Sequence, residues 1–197
     1  MPIRLMVVDD HPPTREAAVT ALQADGIIEV IGEAETSDEA WKMASALLPD
    51  VVLLDLHLPG LMQTEVLIKK LASLRNAHVV VYASQSKAAE VQDLLDVGAC
   101  AYILKADPPA LARMAILMVT RGSTGVLSPS LPRNITKLDQ AERNILKHVT
   151  KRGGVPKAAE RMGLTEFDLN QILEALAEKL ELPNGDYLVR WAKKHGF

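Results

Sequence analysis

The sequence predicts a five-stranded, parallel, doubly wound α/β sheet that is followed by a small all-α domain. Three observations support this prediction. Short aliphatic runs alternate with amphipathic segments through residues 1–122. These runs are apolar at consecutive positions, which is typical of strands that helices cover on both faces. Beyond Leu138 only helical periodicity remains, so the second domain is expected to contain helices alone.

Five aliphatic runs are the predicted strands, and turn-forming or charged residues bound them. In chain order they are Ile3–Val8, Glu29–Glu33, Val51–Leu54, His78–Ala83 and Ala101–Leu104. Apolar positions at helical spacing predict five helices, whose ends are marked by capping residues, glycine or proline. These helices are Thr14–Gln23, a segment capped by Ser37 or Asp38 that runs to Leu48, Glu65–Leu74, Ala88–Val97, and one opened by Pro108 and Pro109.

Residues 123–137 are predicted to be a linker, because glycine, proline, serine and threonine interrupt any regular period there. Residues 138–197 are predicted to form a four-helix domain. Asp139 and Glu142 have the spacing of a capping box for its first helix, and Thr165 is the expected cap of its third helix. The remaining boundaries follow from turn formers, namely Gly153 and Gly154, Pro156, Gly163, and the Pro183–Gly185 turn.

The composition is that of a globular protein, because 48% of the residues are hydrophobic and 24% are charged. The net charge of −3 gives no global attraction to nucleic acid or to an anionic membrane, so any DNA binding needs a local basic patch. Cys100 is the only cysteine, which excludes a disulfide framework. Since neither a signal-peptide pattern nor a membrane-spanning apolar stretch is present, we expect a cytoplasmic protein that makes no membrane contact.

Charged residues follow three of the predicted strands. Asp9 and Asp10 come after the first strand, Asp55 after the third and Lys105 after the fifth. Ligands bind at the carboxyl ends of the strands in such sheets, so these residues should converge on one cleft. Three carboxylates repel one another unless a cation neutralises them, and their oxygen atoms suit Mg²⁺. A lysine opposite them can hold a phosphoryl oxygen, so the pattern predicts a Mg²⁺-assisted phosphoryl site.

The segments around these residues resemble the receiver domain of bacterial two-component response regulators, a flavodoxin-like fold. The resemblance covers residues 1–122, and the segments that show it are Val7–Pro12, Val52–Gly60 and Gly98–Lys105. It implies that Asp55 is the phosphoacceptor and that a sensor histidine kinase is the phosphoryl donor. It also implies that Asp10, Asp55 and the backbone carbonyl of His57 bind Mg²⁺, with Asp9 assisting, and that Lys105 contacts the phosphoryl oxygens.

The resemblance also identifies positions of a conformational switch. Tyr102 falls where the family has an aromatic switch residue, although a half-buried core aromatic explains it equally well. The family's threonine or serine at the end of the fourth strand falls on Ala83, which has no hydroxyl group. Ser84 is adjacent, but successive strand residues point to opposite faces. We therefore expect a weaker link between phosphorylation and conformational change.

Residues 138–197 resemble the helix-turn-helix domain of the LuxR/NarL type. The positions that show it are Leu138, Glu142 and Arg143, Ile145 and Leu146, Ala158 and Ala159, Met162 to Thr165, Lys179 and Leu180, and Leu188. In that family the helix beginning near Thr165 enters the DNA major groove. Here, however, residues 166–181 contain five acidic residues and one basic residue. Acidic residues oppose phosphate binding, so the recognition helix departs from the family pattern.

The candidate DNA contacts are therefore spread over several elements. The basic candidates are Lys151, Lys157 and Arg161, and the candidates for reading adenine are Asn170 and Gln171. A solvated helix surface is the alternative explanation for the basic residues. At the level of function, the leading hypothesis is a response regulator that controls transcription at promoter DNA, with a homodimer as a further expectation.

The alternative function is a phosphorylation-controlled module that binds a protein partner and no longer binds DNA. A third hypothesis, a small hydrolase, is weaker because a hydrolase needs a further acid or base for the leaving group. His11 and His57 are nearby candidates, but histidines in surface loops seldom serve this role. We therefore predict that the protein is not an enzyme.

Overall fold

The computed structural model describes residues 1–84, 88–131 and 138–197. The chain forms two compact units, one built on a β-sheet and the other on helices. Of the predicted linker, residues 132–137 lie outside the described residues. Across the described ranges, no helix combines the length and the apolar character that crossing a membrane requires.

The first unit is a parallel α/β sheet, as the sequence predicted. Its six strands are β1 (Ile3–Val8), β2 (Ile28–Ala34), β3 (Val51–Leu54), β4 (His78–Ala83), β5 (Ala99–Leu104) and β6 (Val126–Leu127). The helices α1 (Pro12–Gln23), α2 (Ser37–Leu47), α3 (Thr64–Ala72), α4 (Ala88–Asp96) and α5 (Pro109–Val119) follow the first five strands in turn. The strand order is β2-β1-β3-β4-β5-β6, so the winding direction reverses between β1 and β3.

The sheet has six strands where the sequence predicted five. The additional strand β6 lies within residues 123–137 and pairs in parallel with Ala101 and Tyr102 of β5. Two residues are too few to show an alternating pattern, which explains why this strand was not predicted. The pairing continues beyond the strand, because the backbone amide of Ser128 donates to the carbonyl of Tyr102 at 2.9 Å.

Side chains of the Ser128 region fasten the sixth strand to the loop that follows β5. The Ser128 hydroxyl donates to Asp107 and accepts a hydrogen bond from the backbone amide of Leu104 at 2.7 Å. Ser130 donates to the other oxygen of Asp107 at 2.7 Å. Ser128 is buried, so its two bonds satisfy a hydroxyl group that has little access to water.

The central strand β3 shows why the sheet is stable. All four of its residues are buried, and it lies between β1 and β4. One hydrophobic cluster, which includes Leu53, Val80 and Ile116, joins the sheet to α5. A fully buried aliphatic side chain stabilises a fold by about 1.5–3 kcal/mol, so this core holds the strand ends firmly in register.

The cap of α2 differs from the expected one. Thr36 caps this helix by accepting from the backbone amide of Glu39 at 3.2 Å, whereas Ser37 and Asp38 were the predicted caps. Those two side chains instead accept from the backbone amides of the loop after β3, Asp38 from Leu61 at 2.8 Å and Ser37 from Met62 at 3.3 Å. The expected caps therefore hold the loop next to the functional edge of the sheet.

The second unit contains four helices, as predicted. They are α6 (Gln140–Val149), α7 (Gly154–Met162), α8 (Glu166–Lys179) and α9 (Gly185–Lys194). The predicted capping box is present, since Asp139 accepts from the backbone amide of Glu142 at 2.8 Å and Glu142 accepts from that of Asp139 at 2.7 Å. Thr165 caps α8 by accepting from the amide of Asp168 at 3.1 Å. The apolar face of α8 lies in a separate helical core with α6, α7 and α9.

Candidate functional site

The acidic edge is the group Asp9, Asp10, Asp55 and Lys105 at the carboxyl ends of the strands. Parallel pairing sets Val8 beside Leu54, which places the residues after β1 next to the residue after β3. The backbone amide of Asp55 donates to the carbonyl of Val8 at 2.9 Å and fixes this register. Lys105 directly follows β5, and its side chain reaches across the end of the sheet to both buried carboxylates. The structure thus brings together the residues that the sequence placed at one edge.

Lys105 is the cation of this edge. Its Nζ lies 2.7 Å from Asp9 Oδ2 and 3.1 Å from Asp55 Oδ2. Burial lowers the pKa of Lys105, but the hydrogen bonds and negative charge of Asp9 and Asp55 outweigh that effect and raise the pKa above its ordinary value. The lysine therefore stays charged and binds oxygen ligands at this edge.

The three carboxylates have the arrangement of a cation site. Oxygen atoms of Asp9, Asp10 and Asp55 lie within 4.8 Å of one another. Asp9 and Asp55 are buried and Asp10 is exposed, so solvent reaches the group from one side. The set contains only hard oxygen donors and is open to water, which fits Mg²⁺, an ion that keeps several water ligands. His57, the predicted carbonyl ligand, lies two residues after Asp55 with its side chain exposed.

Backbone groups orient the buried carboxylates. The amide of Leu56 donates to Asp55 Oδ1 at 2.8 Å, and the amide of His11 donates to Asp9 Oδ1 at 2.9 Å. With Lys105 on the other oxygen, each carboxylate has both of its oxygens engaged. The His11 ring is itself occupied, since its Nδ1 lies 2.8 Å from the Thr14 hydroxyl.

Arg15 supports the acidic edge, although the sequence did not single it out. One of its guanidinium nitrogens donates to the backbone carbonyl of Asp9 at 2.6 Å. The others bind Glu33 at 3.0 Å and Glu35 at 2.7 Å. The helix α1 is thereby tied to the end of β2, and the chain turn that presents Asp9 is fixed. The sequence alone does not reveal this role of Arg15, because its two glutamate partners lie 18 and 20 residues away along the chain.

The predicted switch positions occupy different environments. Ala83 is buried at the end of β4, and its carbonyl accepts from the backbone amide of Lys105 at 2.8 Å. Ser84 is exposed. Tyr102 is fully buried, which is deeper than the half-buried position considered from the sequence. Tyr82, which was not predicted, is half-buried, and burial raises the pKa of its hydroxyl group.

In the helical unit the five candidate DNA contacts are all exposed: Lys151, Lys157, Arg161, Asn170 and Gln171. The short connection between α7 and α8 contains Gly163, whose φ of 68° is left-handed. A pair of helices joined by such a turn is the arrangement of a helix-turn-helix. The stem of Lys157 packs beside Gly153, where any Cβ atom would lie 2.5 Å from the lysine Cδ.

Glu174 has a structural contact that sequence reasoning missed. Its Oε1 lies only 3.1 Å from the point that a Cβ atom on Gly185 would occupy. Gly185 is the first residue of α9, so the carboxylate lies at the positive end of that helix dipole. The dipole of α8 does not explain this acid, because Glu174 lies beyond the first turn of that helix, whereas the dipole of α9 does.

The parallel sheet, its acidic edge and the helical unit together define the class of response regulators. A profile of the response regulator receiver domain matches residues 5–116. The chain belongs to this family. It is similar to the nitrate/nitrite response regulator protein NarL of Escherichia coli K12, which is 29% identical over 92% of this chain and 90% of its own.

Two further comparisons extend this result. The transcriptional regulatory protein LiaR of Bacillus subtilis 168 is 31% identical over 76% of this chain and 72% of its own. Among solved structures, a chain from a structure of two RcsB dimers bound to two parallel DNAs covers 100% of both chains with a TM-score of 0.70 and 20% identity. The relatives confirm the prediction of a response regulator with a LuxR/NarL-type output domain. They support the transcriptional hypothesis and not the protein-interaction alternative.

Proposed function

We propose that this response regulator accepts a phosphoryl group on Asp55 from a sensor histidine kinase and controls transcription by binding promoter DNA. One observation supports this most strongly. The Asp55 carboxylate is held between a backbone amide and Lys105, beside two further carboxylates that can bind a cation. Such an arrangement positions a weak nucleophile and supplies positive charge where phosphoryl oxygens would lie.

The chemical step uses these groups directly. An Asp55 oxygen forms a bond to phosphorus while the bond from phosphorus to the kinase histidine nitrogen breaks, and its electron pair returns to the imidazole. Lys105, already 3.1 Å from Asp55, would contact the transferred oxygens as a point charge. The carboxylate of Asp9 keeps Lys105 in place throughout, because it lies 2.7 Å from the ammonium group.

Asp9, Asp10, Asp55 and the backbone carbonyl of His57 would hold Mg²⁺. The all-oxygen donor set and its exposed side fit this ion. When bound, Mg²⁺ neutralises the negative charge that develops on the transferred phosphoryl group. The chain's own contribution is to prearrange the ligands, since Asp9 and Asp55 are fixed by backbone amides before any cation binds.

The signal would leave the acidic edge through Lys105 and the end of β4. A hydroxyl group at position 83 would follow the phosphoryl group, but Ala83 has none. The exposed Ser84 and the fully buried Tyr102 are the other proposed switch positions. We expect the coupling to be weaker than in relatives with a hydroxyl group at the position of Ala83.

DNA binding would divide between α8 and the segment formed by α7 and the connection that precedes it. The helix-turn-helix geometry places the first helix across the backbone and the N-terminal part of the second in the major groove. Accordingly, Lys151, Lys157 and Arg161 would contact phosphates, and Asn170 and Gln171 on α8 would contact base edges. A second copy of the chain would occupy the other half of a symmetric site, which makes a homodimer on DNA the expected assembly.

Charge reversal tests this function. Changing Lys151, Lys157 and Arg161 together to Glu should abolish binding to a selected DNA duplex, because phosphate contacts provide most of the affinity. The matched control reverses Lys69, an exposed lysine on α3 of the other unit, and should leave binding unchanged. Unaltered affinity in the triple variant would remove these contacts from the proposal. If the parent chain binds no DNA with or without a phosphoryl mimic, the protein-interaction alternative replaces it.

A further inference from the structure

We propose that α8 selects A·T base pairs through a reading stripe that consists of Phe167, Asn170 and Gln171. This inference rests on the proposed DNA-binding function and specifies which DNA it recognises. Successive helix residues are separated by about 100°, so positions 170 and 171 lie within about 60° of position 167 around the axis. The three side chains therefore share one face of the first two turns of α8.

The reading stripe is exposed and chemically available. Phe167 is 70% exposed, although an aromatic ring of this size normally gains from burial. Asn170 and Gln171 are exposed too, and within the described residues neither side-chain amide has a hydrogen-bond partner. The opposite face of α8 carries the apolar residues Leu169, Leu173 and Leu176, which are buried in the helical core. Nothing in the packing of this unit requires the residue types found on the stripe.

The three residue types of the reading stripe predict which bases it recognises. Asn and Gln side chains form paired hydrogen bonds with N6 and N7 of adenine, and an apolar ring contacts the methyl group of thymine. Arg and Lys make the commonest specific contact with guanine, and α8, which the structure describes in full, has Lys179 as its one basic residue. Lys179 lies in the last turn and is bound to both carboxylate oxygens of Glu142 at 2.7 Å. The stripe therefore favours A·T over G·C pairs.

Glu174 lies on the same face of α8, one turn beyond the reading stripe. The contact of its side chain with the start of α9 directs the carboxylate away from the stripe. Its carboxylate lies against Gly185 at the N-terminus of α9, where the helix dipole stabilises a negative charge. A side chain larger than glycine at position 185 would crowd this carboxylate and also the Cβ atom of Leu173, which lies 3.2 Å from the same point. The stripe itself is therefore uncharged, and the exposed acids Glu166 and Asp168 flank it in the first turn, where the dipole of α8 stabilises them.

Affinity and selectivity then come from different helices. Lys157 and Arg161 on α7 are exposed and would provide the sequence-independent attraction to phosphates. The uncharged stripe on α8 would add base contacts alone, so it alters selectivity more than overall affinity. This division accommodates an acidic α8 in a DNA-binding protein.

The test is a selection of bound duplexes from a random pool by the full chain, repeated with Phe167→Ala, Asn170→Ala and Gln171→Ala. The parent should enrich half-sites with consecutive A·T pairs in their centre. Each variant should reduce the preference at one position about tenfold while binding to unselected DNA changes little. Asn144→Ala, which removes an exposed amide from α6, is the matched control and should leave the selected motif unchanged.

The outcomes separate this inference from the proposed function. A G·C-rich motif, or an A·T motif that all three variants retain, overturns the reading stripe while DNA binding stands. If the folded parent enriches no DNA in either phosphorylation state, the proposed function fails and the inference fails with it. Circular dichroism of each variant verifies the fold, and all three positions are exposed, so substitution should not unfold the unit.

Discussion

The acidic edge and the reading stripe are both polar surfaces, but they are held in opposite ways. At the acidic edge Asp9 and Asp55 are buried, and every contact of their carboxylates comes from the backbone or from Lys105. On the reading stripe Asn170 and Gln171 are exposed and bound to nothing else in the described protein. The acidic edge is therefore part of the packed fold, whereas the side chains of the reading stripe are exposed on its surface and make no contribution to its packing.

This difference in burial determines which of the two surfaces tolerates amino-acid substitution. A substitution at the acidic edge leaves a buried charge without its partner and costs stability as well as chemistry. A substitution on the reading stripe costs the fold almost nothing, because no neighbour depends on the side chain. An output domain can therefore exchange its base contacts at a lower cost to the fold than a receiver domain can exchange its buried carboxylates.

The largest expected effect is the loss of phosphoryl labelling when the acceptor carboxylate of the acidic edge is replaced. Asp55→Asn should eliminate labelling by a small phosphodonor in the presence of Mg²⁺, because a neutral amide is not a nucleophile at this position. The mass of the intact protein measures the labelling. Asp186→Asn, at an exposed aspartate of α9, should be labelled like the parent. Labelling that persists in the Asp55 variant would place the acceptor elsewhere.

The next effect measures how much the ion pairs of the acidic edge contribute to the unfolding free energy of the α/β unit. Lys105→Met should lower the unfolding free energy of the α/β unit by about 2 kcal/mol without divalent cations, because two buried carboxylates lose their charged donor. Mg²⁺ should stabilise the variant more than the parent. Urea denaturation in a Trp191→Phe background reports on this unit, since Trp41 on α2 is then the single tryptophan.

The pH dependence has a defined sign. The pKa of Lys105 is raised in the folded protein, so its stabilising contribution is fully present below the ordinary lysine pKa. That contribution is lost as the pH rises through the raised pKa. Lys69→Met, at an exposed lysine of α3, should follow the parent at every pH. Equal stability of the Lys105 variant and the parent at neutral pH would contradict a structural role for the ion pairs.

A smaller effect concerns communication between the two surfaces. Ala83→Thr should increase about fivefold the ratio of DNA affinities with and without a phosphoryl mimic, because it restores a hydroxyl group beside the acidic edge. Ala83→Val has nearly the same size and lacks the hydroxyl group, so it should leave the ratio unchanged. Fluorescence anisotropy of a labelled duplex measures both. An equal response of the two variants would attribute the effect to packing.

The smallest effect concerns the exposed face beyond the reading stripe. Glu174→Gln should raise DNA affinity about two- to threefold at low salt, because it removes one negative charge near the phosphates. The gain should shrink as salt is added. Glu16→Gln, on α1 of the other unit, is the control and should leave the affinity as it is. A large and salt-independent gain would mean that the Glu174 carboxylate faces DNA directly.

The sequence predicted most of the fold, because local signals define it. The buried strand Val51–Leu54 and the capping box of Asp139 and Glu142 can both be recognised within a few residues. The acidic edge could be predicted for a related reason, since parallel strands bring their carboxyl ends to one side of a sheet. Its residues are thereby placed without any knowledge of the loops.

The features that the sequence did not predict depend on distant contacts. Thr36 caps α2 because a loop more than twenty residues away engages Ser37 and Asp38. The roles of Arg15 and Glu174 are set by glutamates of another element and by Gly185. A two-residue strand such as β6 has no period to detect. Each of these features needs the folded chain before it can be identified.

The short strand β6 has a consequence for the behaviour of the protein in concentrated solution. The outer edge of a sheet presents unpaired backbone groups onto which a strand of another molecule can add. Here β6 covers the apolar strand β5, and the Ser128 hydroxyl accepts from the amide of Leu104 just beyond it. At the opposite edge β2 exposes the charged side chain of Glu29, which disfavours the addition of a second strand. The receiver sheet is thereby protected at both ends against edge-to-edge aggregation.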